Sequence, residues 1–96
     1  MPLLQIEHTG DVGIVMLDNA ARRNALSREM VDEIIAALTT FAQQRVRAVI
    51  LRAAPHSAVW SAGHDVHELP LSGRDPLGWD DPLRYLIREI ENFSAP

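Results

Sequence analysis

An amphipathic stretch at residues 27–44 constrains the fold most, because it separates two parts of the chain that are rich in β-branched residues. Within it Met30, Ile34 and Leu38 recur at a spacing of four, which places them on one face of a helix. Ser27 is a suitable N-cap residue for that helix. We therefore predict an amphipathic helix over residues 27–44 whose apolar face belongs to a packed core.

Three strands are predicted around this helix. Residues 3–7 and 12–17 are short apolar runs separated by Thr9, Gly10 and Asp11, a composition typical of a β-hairpin. After the helix, residues 47–53 have an apolar, β-branched centre of the kind found in a strand that is covered on both faces. We expect this third strand to be central in its sheet.

The remainder of the chain contains shorter elements. Val59 and Trp60 suggest a brief extended strand, residues 64–69 one or two helical turns, and residues 71–79 a loop. A second amphipathic helix should begin with Asp81 and Pro82 and end near Ser94, because proline at the first helical position loses only an N–H that has no helical partner. The resulting order, β, β, α, β, short β, α, resembles two turns of a repeating ββα unit.

Composition excludes several classes of function. The 96 residues carry a net charge of −4, which is unsuited to binding a nucleic-acid backbone. All nine basic residues are Arg, which excludes Schiff-base lysine chemistry, and the absence of Cys excludes thiolate catalysis and disulfides. The sequence has neither a signal-peptide pattern nor a long apolar run, so we expect one cytoplasmic domain, or part of one, with no membrane contact.

Residues 61–66, Ser-Ala-Gly-His-Asp-Val, are the most informative segment for chemistry. They follow a predicted strand and precede a predicted helical turn, so successive main-chain N–H groups meet at a helix N-terminus, where negative charge is stabilised. Ala62 and Gly63 are small enough to let another molecule approach the main chain. A tight turn beneath a packed strand explains the same pattern without any function.

Two other sites were weighed for this segment. A metal site is suggested by the residue types of His64, Asp65 and His67. Two histidines three residues apart without further donors provide too few ligands, so no metal is expected. Ser61, His64 and Asp65 have the residue types of a hydrolytic triad. Close neighbours on one loop do not easily form that geometry, and the sequence has no G-x-S-x-G motif.

Three segments in this order and spacing carry a family resemblance: Arg-Asn-Ala-Leu at residues 23–26, RAVILRA at 47–53 and SAGHD at 61–65. Together they resemble the crotonase superfamily. The longer run at residues 61–84, SAGHDVHELPLSGRDPLGWDDPLR, is most similar to its bacterial methylmalonyl-CoA decarboxylase branch. The resemblance implies an α/β crotonase-like ββα spiral, of which residues 1–96 are expected to form the first two turns as the N-terminal portion of a single domain.

The resemblance also implies a site. In the family, two main-chain N–H groups hold the carbonyl oxygen of an acyl-CoA thioester, and the first maps onto His64, whereas the second is expected beyond Pro96. The loop before the first helix runs along the coenzyme A, where a basic side chain meets phosphate and main-chain groups meet adenine. The implied substrate- and coenzyme A-binding residues are Arg22, Asn24, Ala25, Leu26, Ala62, Gly63, His64, Asp65 and Val66.

The resemblance therefore implies an acyl-CoA lyase that decarboxylates methylmalonyl-CoA and needs no cofactor beyond the coenzyme A of its substrate. The family implies a homo-oligomer, a trimer or hexamer. The 96 residues alone are expected to be inactive, because half of the site lies elsewhere. Two alternatives stay open: an enoyl-CoA hydratase or isomerase, and a non-catalytic module that binds coenzyme A or a partner subunit.

Overall fold

The computed structural model describes residues 3–63 and 82–96. The elements, in chain order, are strands β1 (Leu4–Thr9) and β2 (Val12–Leu17), a 3-10 helix (Ala20–Arg22), helix α1 (Arg28–Gln43), strand β3 (Ala48–Ala53) and helix α2 (Pro82–Glu91).

The predicted hairpin is confirmed. β1 and β2 pair antiparallel with Thr9 opposite Val12, so the turn consists of Gly10 and Asp11. Gly10 has a φ of 58°, a conformation that glycine adopts without the steric cost that a Cβ would bring. The hairpin therefore closes where the sequence places its glycine.

Helix α1 is also confirmed. It begins after Ser27, whose hydroxyl oxygen accepts a hydrogen bond from the Met30 N–H at 3.1 Å, the bond expected of an N-cap. α1 connects β2 to β3, which pair in parallel, as a β-strand crossover requires. It packs on one face of the sheet.

The core lies between α1 and that face of the sheet, and it is apolar throughout. Gly13 of β2 lies directly beneath the Phe41 ring, so that a Cβ at this position would be 2.7 Å from two ring carbons. Leu86 of α2, a helix that contacts α1, also belongs to the core. The buried cluster comprises Leu4, Val15, Leu17, Leu26, Met30, Val31, Ile34, Leu38, Phe41, Val46 and Leu86.

The expectation of a central β3 is wrong for the part of the chain that the structure describes. There the strand order is β1-β2-β3, so β3 lies at an edge, and Ile50 on the face away from α1 is 47% exposed. β3 still makes a main-chain contact outside the three-stranded ladder, because the Val49 N–H donates to the Pro96 carbonyl at 2.8 Å. An apolar strand composition reports burial but not which neighbours a strand has.

Two smaller expectations also need correction. No strand forms at Val59 and Trp60, because their carbonyls accept hydrogen bonds from a side chain instead of joining a ladder. Helix α2 begins at Pro82, as predicted, but ends at Glu91, sooner than Ser94. The helical turns expected at 64–69, the loop at 71–79 and the Asp81 N-cap lie outside the described residues.

Among residues 3–63 and 82–96, neither helix has the length and apolarity needed to cross a lipid bilayer.

Candidate active site

The loop before α1 is folded on itself by two reciprocal hydrogen bonds. The Asn24 N–H donates to the Asn19 carbonyl at 2.9 Å, and the Asn19 N–H donates to the Asn24 side-chain oxygen at 2.8 Å. Arg23 and Asn24 both have left-handed backbone conformations, with φ of 54° and 56°. Asparagine tolerates this region better than most residues, which suits it to this position.

The Asn24 side chain is fully buried and joins this loop to a distant one. Its amide nitrogen donates to the carbonyls of Val59 and Trp60, each at 3.1 Å. Both amide hydrogens and the amide oxygen therefore have partners within the chain, as a buried polar group requires.

Main-chain hydrogen bonds extend this connection toward the segment that the sequence marked for chemistry. The Ala62 N–H donates to the Arg23 carbonyl at 2.9 Å, and the Leu26 N–H donates to the Gly63 carbonyl at 2.6 Å. The loop before α1 and the segment after β3 therefore lie side by side.

Ser61 completes the connection with its hydroxyl. The Ser61 O–H donates to the Asn24 carbonyl at 2.8 Å, and the hydroxyl oxygen accepts from the Gly63 N–H at 3.0 Å. We call the hydrogen bonds within and between residues 23–26 and 59–63 the latch. The latch fixes Gly63 on both sides, since its N–H and its carbonyl each have a partner.

Gly63 has open space beside it as far as the described residues go. Its φ is 84°, and apart from Gly63 and its chain neighbours no described residue has an atom within 4 Å of the place where a Cβ would stand. Ala62 is exposed and Gly63 is half-buried. No described residue fills the Cβ position of Gly63, and the positive φ favours glycine. The approach of another molecule to this main chain stays a prediction.

The structure thus brings together six of the residues that the sequence singled out. Ala25 and Leu26 are buried, whereas the Arg22 side chain is exposed. Whether these residues contact substrate stays a prediction. Those brought together are Arg22, Asn24, Ala25, Leu26, Ala62 and Gly63; His64, Asp65 and Val66 lie outside the described residues.

Sequence reasoning missed what Asn19 and Ser61 do. Ser61 was weighed only as a nucleophile, but its hydroxyl hydrogen is donated to a main-chain carbonyl. Asn19 looked like an ordinary polar loop residue. The available signal was the pair of asparagines five residues apart around a short polar stretch, a spacing that allows one to close a turn on the other.

The metal site weighed from the sequence, at His64, Asp65 and His67, falls on residues that the structure does not describe. Within the described part of the chain, no group of three or more His, Asp or Glu side chains is arranged to hold a metal ion. A groove of about 460 Å³ lies between β1 and α1. Its lining includes Ile6 and Phe41 but no residue of the latch.

Residues 7–84 match the sequence profile of the enoyl-CoA hydratase/isomerase family. The chain belongs to this family. It is 45% identical over 85 residues to methylmalonyl-CoA decarboxylase of Escherichia coli K12, a match that covers 88% of this chain and 33% of that protein. The resemblance to the crotonase superfamily is confirmed.

Solved structures of the enoyl-CoA hydratase/isomerase family have the same fold. A methylmalonyl-CoA decarboxylase in complex with 2-nitronate-propionyl-CoA is 40% identical with a TM-score of 0.91, covering 99% of this chain and 36% of that one. An enoyl-CoA hydratase of Mycobacterium smegmatis is 27% identical with a TM-score of 0.78, covering 100% and 38%. The expected α/β crotonase-like fold is therefore confirmed, and the chain spans about a third of the length of these relatives.

Proposed function

We propose that the protein carrying these residues decarboxylates methylmalonyl-CoA to propionyl-CoA. The support is its 45% identity to a relative of that name and its similarity to structures of that enzyme with coenzyme A ligands. Because the chain spans about a third of those relatives, the proposal concerns the protein at its natural length. The cytoplasmic location and the trimeric or hexameric assembly expected from the sequence remain predictions.

The chemistry requires an anion to be stabilised. The bond between the α-carbon and the carboxylate breaks, carbon dioxide leaves, and the electron pair of that bond forms a thioester enolate with its charge on the carbonyl oxygen. A proton then adds to the α-carbon and gives propionyl-CoA. Main-chain N–H groups already aimed at that oxygen lower the barrier, each by roughly 3 kcal/mol in comparable sites.

The observation that carries this proposal is the latch, which holds the main chain at Gly63 where no described residue fills the Cβ position. Gly63 is held through both its N–H and its carbonyl. We assign the first donor to the His64 N–H, which directly follows Gly63. We place the second donor outside these 96 residues, and we assign Asp65 and Val66 to the wall of the substrate site.

The loop before α1 is assigned to coenzyme A. The N–H groups of Ala25 and Leu26 already donate to Arg22 and Gly63, so these residues would meet adenine through carbonyl oxygens, which can accept from its amino group. Every polar group of Asn24 already has a partner within the chain, because its N–H donates to Asn19, its carbonyl accepts from Ser61 and its side-chain amide belongs to the latch. We therefore assign Asn24 to holding the loop that meets coenzyme A. The exposed Arg22 guanidinium is suited to a phosphate.

Enoyl-CoA hydration or isomerisation is the second candidate, favoured by the family match and by the structural similarity to the Mycobacterium smegmatis enzyme. Both reactions pass through a thioester enolate, so the latch serves either. Turnover of methylmalonyl-CoA against a 2-enoyl-CoA by the natural-length protein discriminates between them. Binding of coenzyme A without turnover of either thioester would leave the non-catalytic alternative.

The test of the assigned donor compares two substitutions at one position. His64→Ala keeps the main-chain N–H and should retain much of the decarboxylase activity. His64→Pro removes that N–H and should lower kcat by at least about two orders of magnitude. The measurement is propionyl-CoA formation by the natural-length protein.

The comparison requires that both variants remain folded by circular dichroism and melt within a few degrees of each other, because proline also restricts the turn. If His64→Ala were as inactive as His64→Pro, the imidazole would be an acid, a base or a ligand, and the assignment of a main-chain donor would be wrong.

A further inference from the structure

Gly63 is the residue in the latch with the least conformational restraint of its own. Without a Cβ it can adopt many main-chain conformations, and its φ of 84° lies in a region that other residues rarely occupy. A donor that follows such a residue is useful in catalysis only if neighbouring groups hold it in place. The described contacts show which groups do so.

Two contacts restrain the peptide groups on either side of Gly63. The Ser61 hydroxyl oxygen accepts from its N–H at 3.0 Å, and the Leu26 N–H donates to its carbonyl at 2.6 Å. A peptide group is planar, so a carbonyl held in place also restricts the N–H that shares its plane. Leu26 is itself buried and directly precedes the Ser27 N-cap of α1, so this restraint is tied to the core.

Ser61 holds its place through a further bond. Its hydroxyl donates to the Asn24 carbonyl at 2.8 Å, and Asn24 is fully buried with its side-chain amide on Val59 and Trp60. The hydroxyl hydrogen and one lone pair are thus both used. A serine held in this way acts as a support for Gly63 and not as a nucleophile.

We propose that Ser61, held on the carbonyl of Asn24, is a positioning residue that sets the main-chain N–H donor after Gly63 for the enolate oxygen. This inference rests on the proposed function and extends it. Ser61 does not touch the reacting atoms. It acts through Gly63, so its removal should impair binding of the enolate more than binding of the unreacted thioester.

The experiment uses Ser61→Ala, which removes the hydroxyl, and Ser61→Thr, which keeps one, in the natural-length protein. Ser61→Ala should lower kcat for methylmalonyl-CoA by about tenfold or more with KM within about threefold of the unmodified value. Ser61→Thr should retain most of the kcat of the unmodified protein. The melting temperature of each variant checks that the protein remains folded.

A binding measurement separates positioning from general loosening of the site. A nitronate analogue of the kind bound in the related decarboxylase structure resembles the enolate because its α-carbon is deprotonated, whereas propionyl-CoA resembles the neutral thioester. Ser61→Ala should weaken the nitronate by about the same factor as kcat and leave propionyl-CoA nearly unchanged. Equal weakening of both ligands, or an unchanged kcat, would overturn the inference.

The matched control is Ser57→Ala. Ser57 lies in the same loop, and its buried hydroxyl oxygen has no hydrogen-bond partner in the described part of the chain. Its removal should leave kcat and both affinities at the unmodified values. A loss equal to that of Ser61→Ala would show that any small change in this loop disturbs the site, and would count against a specific role for Ser61.

Amide exchange distinguishes failure of this inference from failure of the proposed function. If the unmodified protein turned over neither a malonyl-type nor an enoyl thioester, the proposed function would fail, but the support of Gly63 by Ser61 would still be measurable. Exchange at the Gly63 N–H should be faster in Ser61→Ala than in the unmodified protein and in Ser61→Thr. Unchanged exchange would overturn the inference whatever the turnover.

Discussion

The contact between α1 and the sheet differs in kind from the contact between the two loops of the latch. The first is an apolar interface in which Phe41, Met30 and Ile34 are almost completely buried. The second consists of directional hydrogen bonds, most of them to main-chain groups, around one buried asparagine. Apolar burial is spread over many atoms, whereas the latch depends on a few atoms at set distances. Stability should therefore reside mainly in the first region and the geometry of the site in the second.

The largest expected effect is on the apolar interface. Phe41 is 2% exposed, and Phe41→Ala should lower the free energy of unfolding by about 3 to 5 kcal/mol through lost burial and a residual cavity. Urea denaturation of the natural-length protein measures it. Gln43→Ala, on the exposed side of the same helix, should change stability by no more than about 0.5 kcal/mol. Equal losses would mean that this interface does not dominate stability.

A smaller loss of stability is expected from adding a side chain at Gly13, beneath the Phe41 ring. Gly13→Ala would place a Cβ 2.7 Å from two carbons of Phe41, and the resulting overpacking should cost about 1 to 3 kcal/mol. If the ring is the cause, the cost should shrink in a Phe41→Leu background, a coupling that a double-mutant cycle measures. An identical cost in both backgrounds would place the strain elsewhere.

The smallest change in the free energy of unfolding is expected from a substitution in the latch. Asn24→Gly accommodates the left-handed backbone but deprives the Val59 and Trp60 carbonyls of their donor, at a cost of about 1 to 2 kcal/mol. Its signature should be local, with faster amide exchange at Ala62 while α1 stays protected. Asn92→Gly, an exposed asparagine after α2, is the control. Loss of protection in α1 equal to that at Ala62 would contradict the separation of the two regions.

Much of the apolar framework was predictable from local pattern. The spacing of Met30, Ile34 and Leu38 placed α1, and Gly10 between two apolar runs placed the hairpin, because each signal lies within one element. The position of β3 was not predictable in the same way. Whether a strand is central depends on which segments pair with it, and its own residues do not encode that.

The two segments of the candidate site could be picked out from the sequence, but the hydrogen bonds that join them could not. Residues 61–63 stood out as small residues after a strand, and the family resemblance brought in residues 23–26. The partners of the Asn24 amide lie 35 and 36 residues further along the chain, and no local rule connects a polar loop residue to carbonyls at that distance. The residue type of Ser61 suggested a nucleophile, whereas in the structure its hydroxyl bonds to the main chain of Asn24 and Gly63.

The partners in the latch lie far apart along the chain, and this makes the stability of the latch depend on the core. Closing a loop of 35 to 37 residues in a disordered chain carries an entropic cost, and that cost falls once α1 and β3 already bring the loop ends together. The latch thus depends on the core more than the core depends on the latch. Unfolding of the core should therefore also break the latch, whereas loss of the latch should leave most of the core folded.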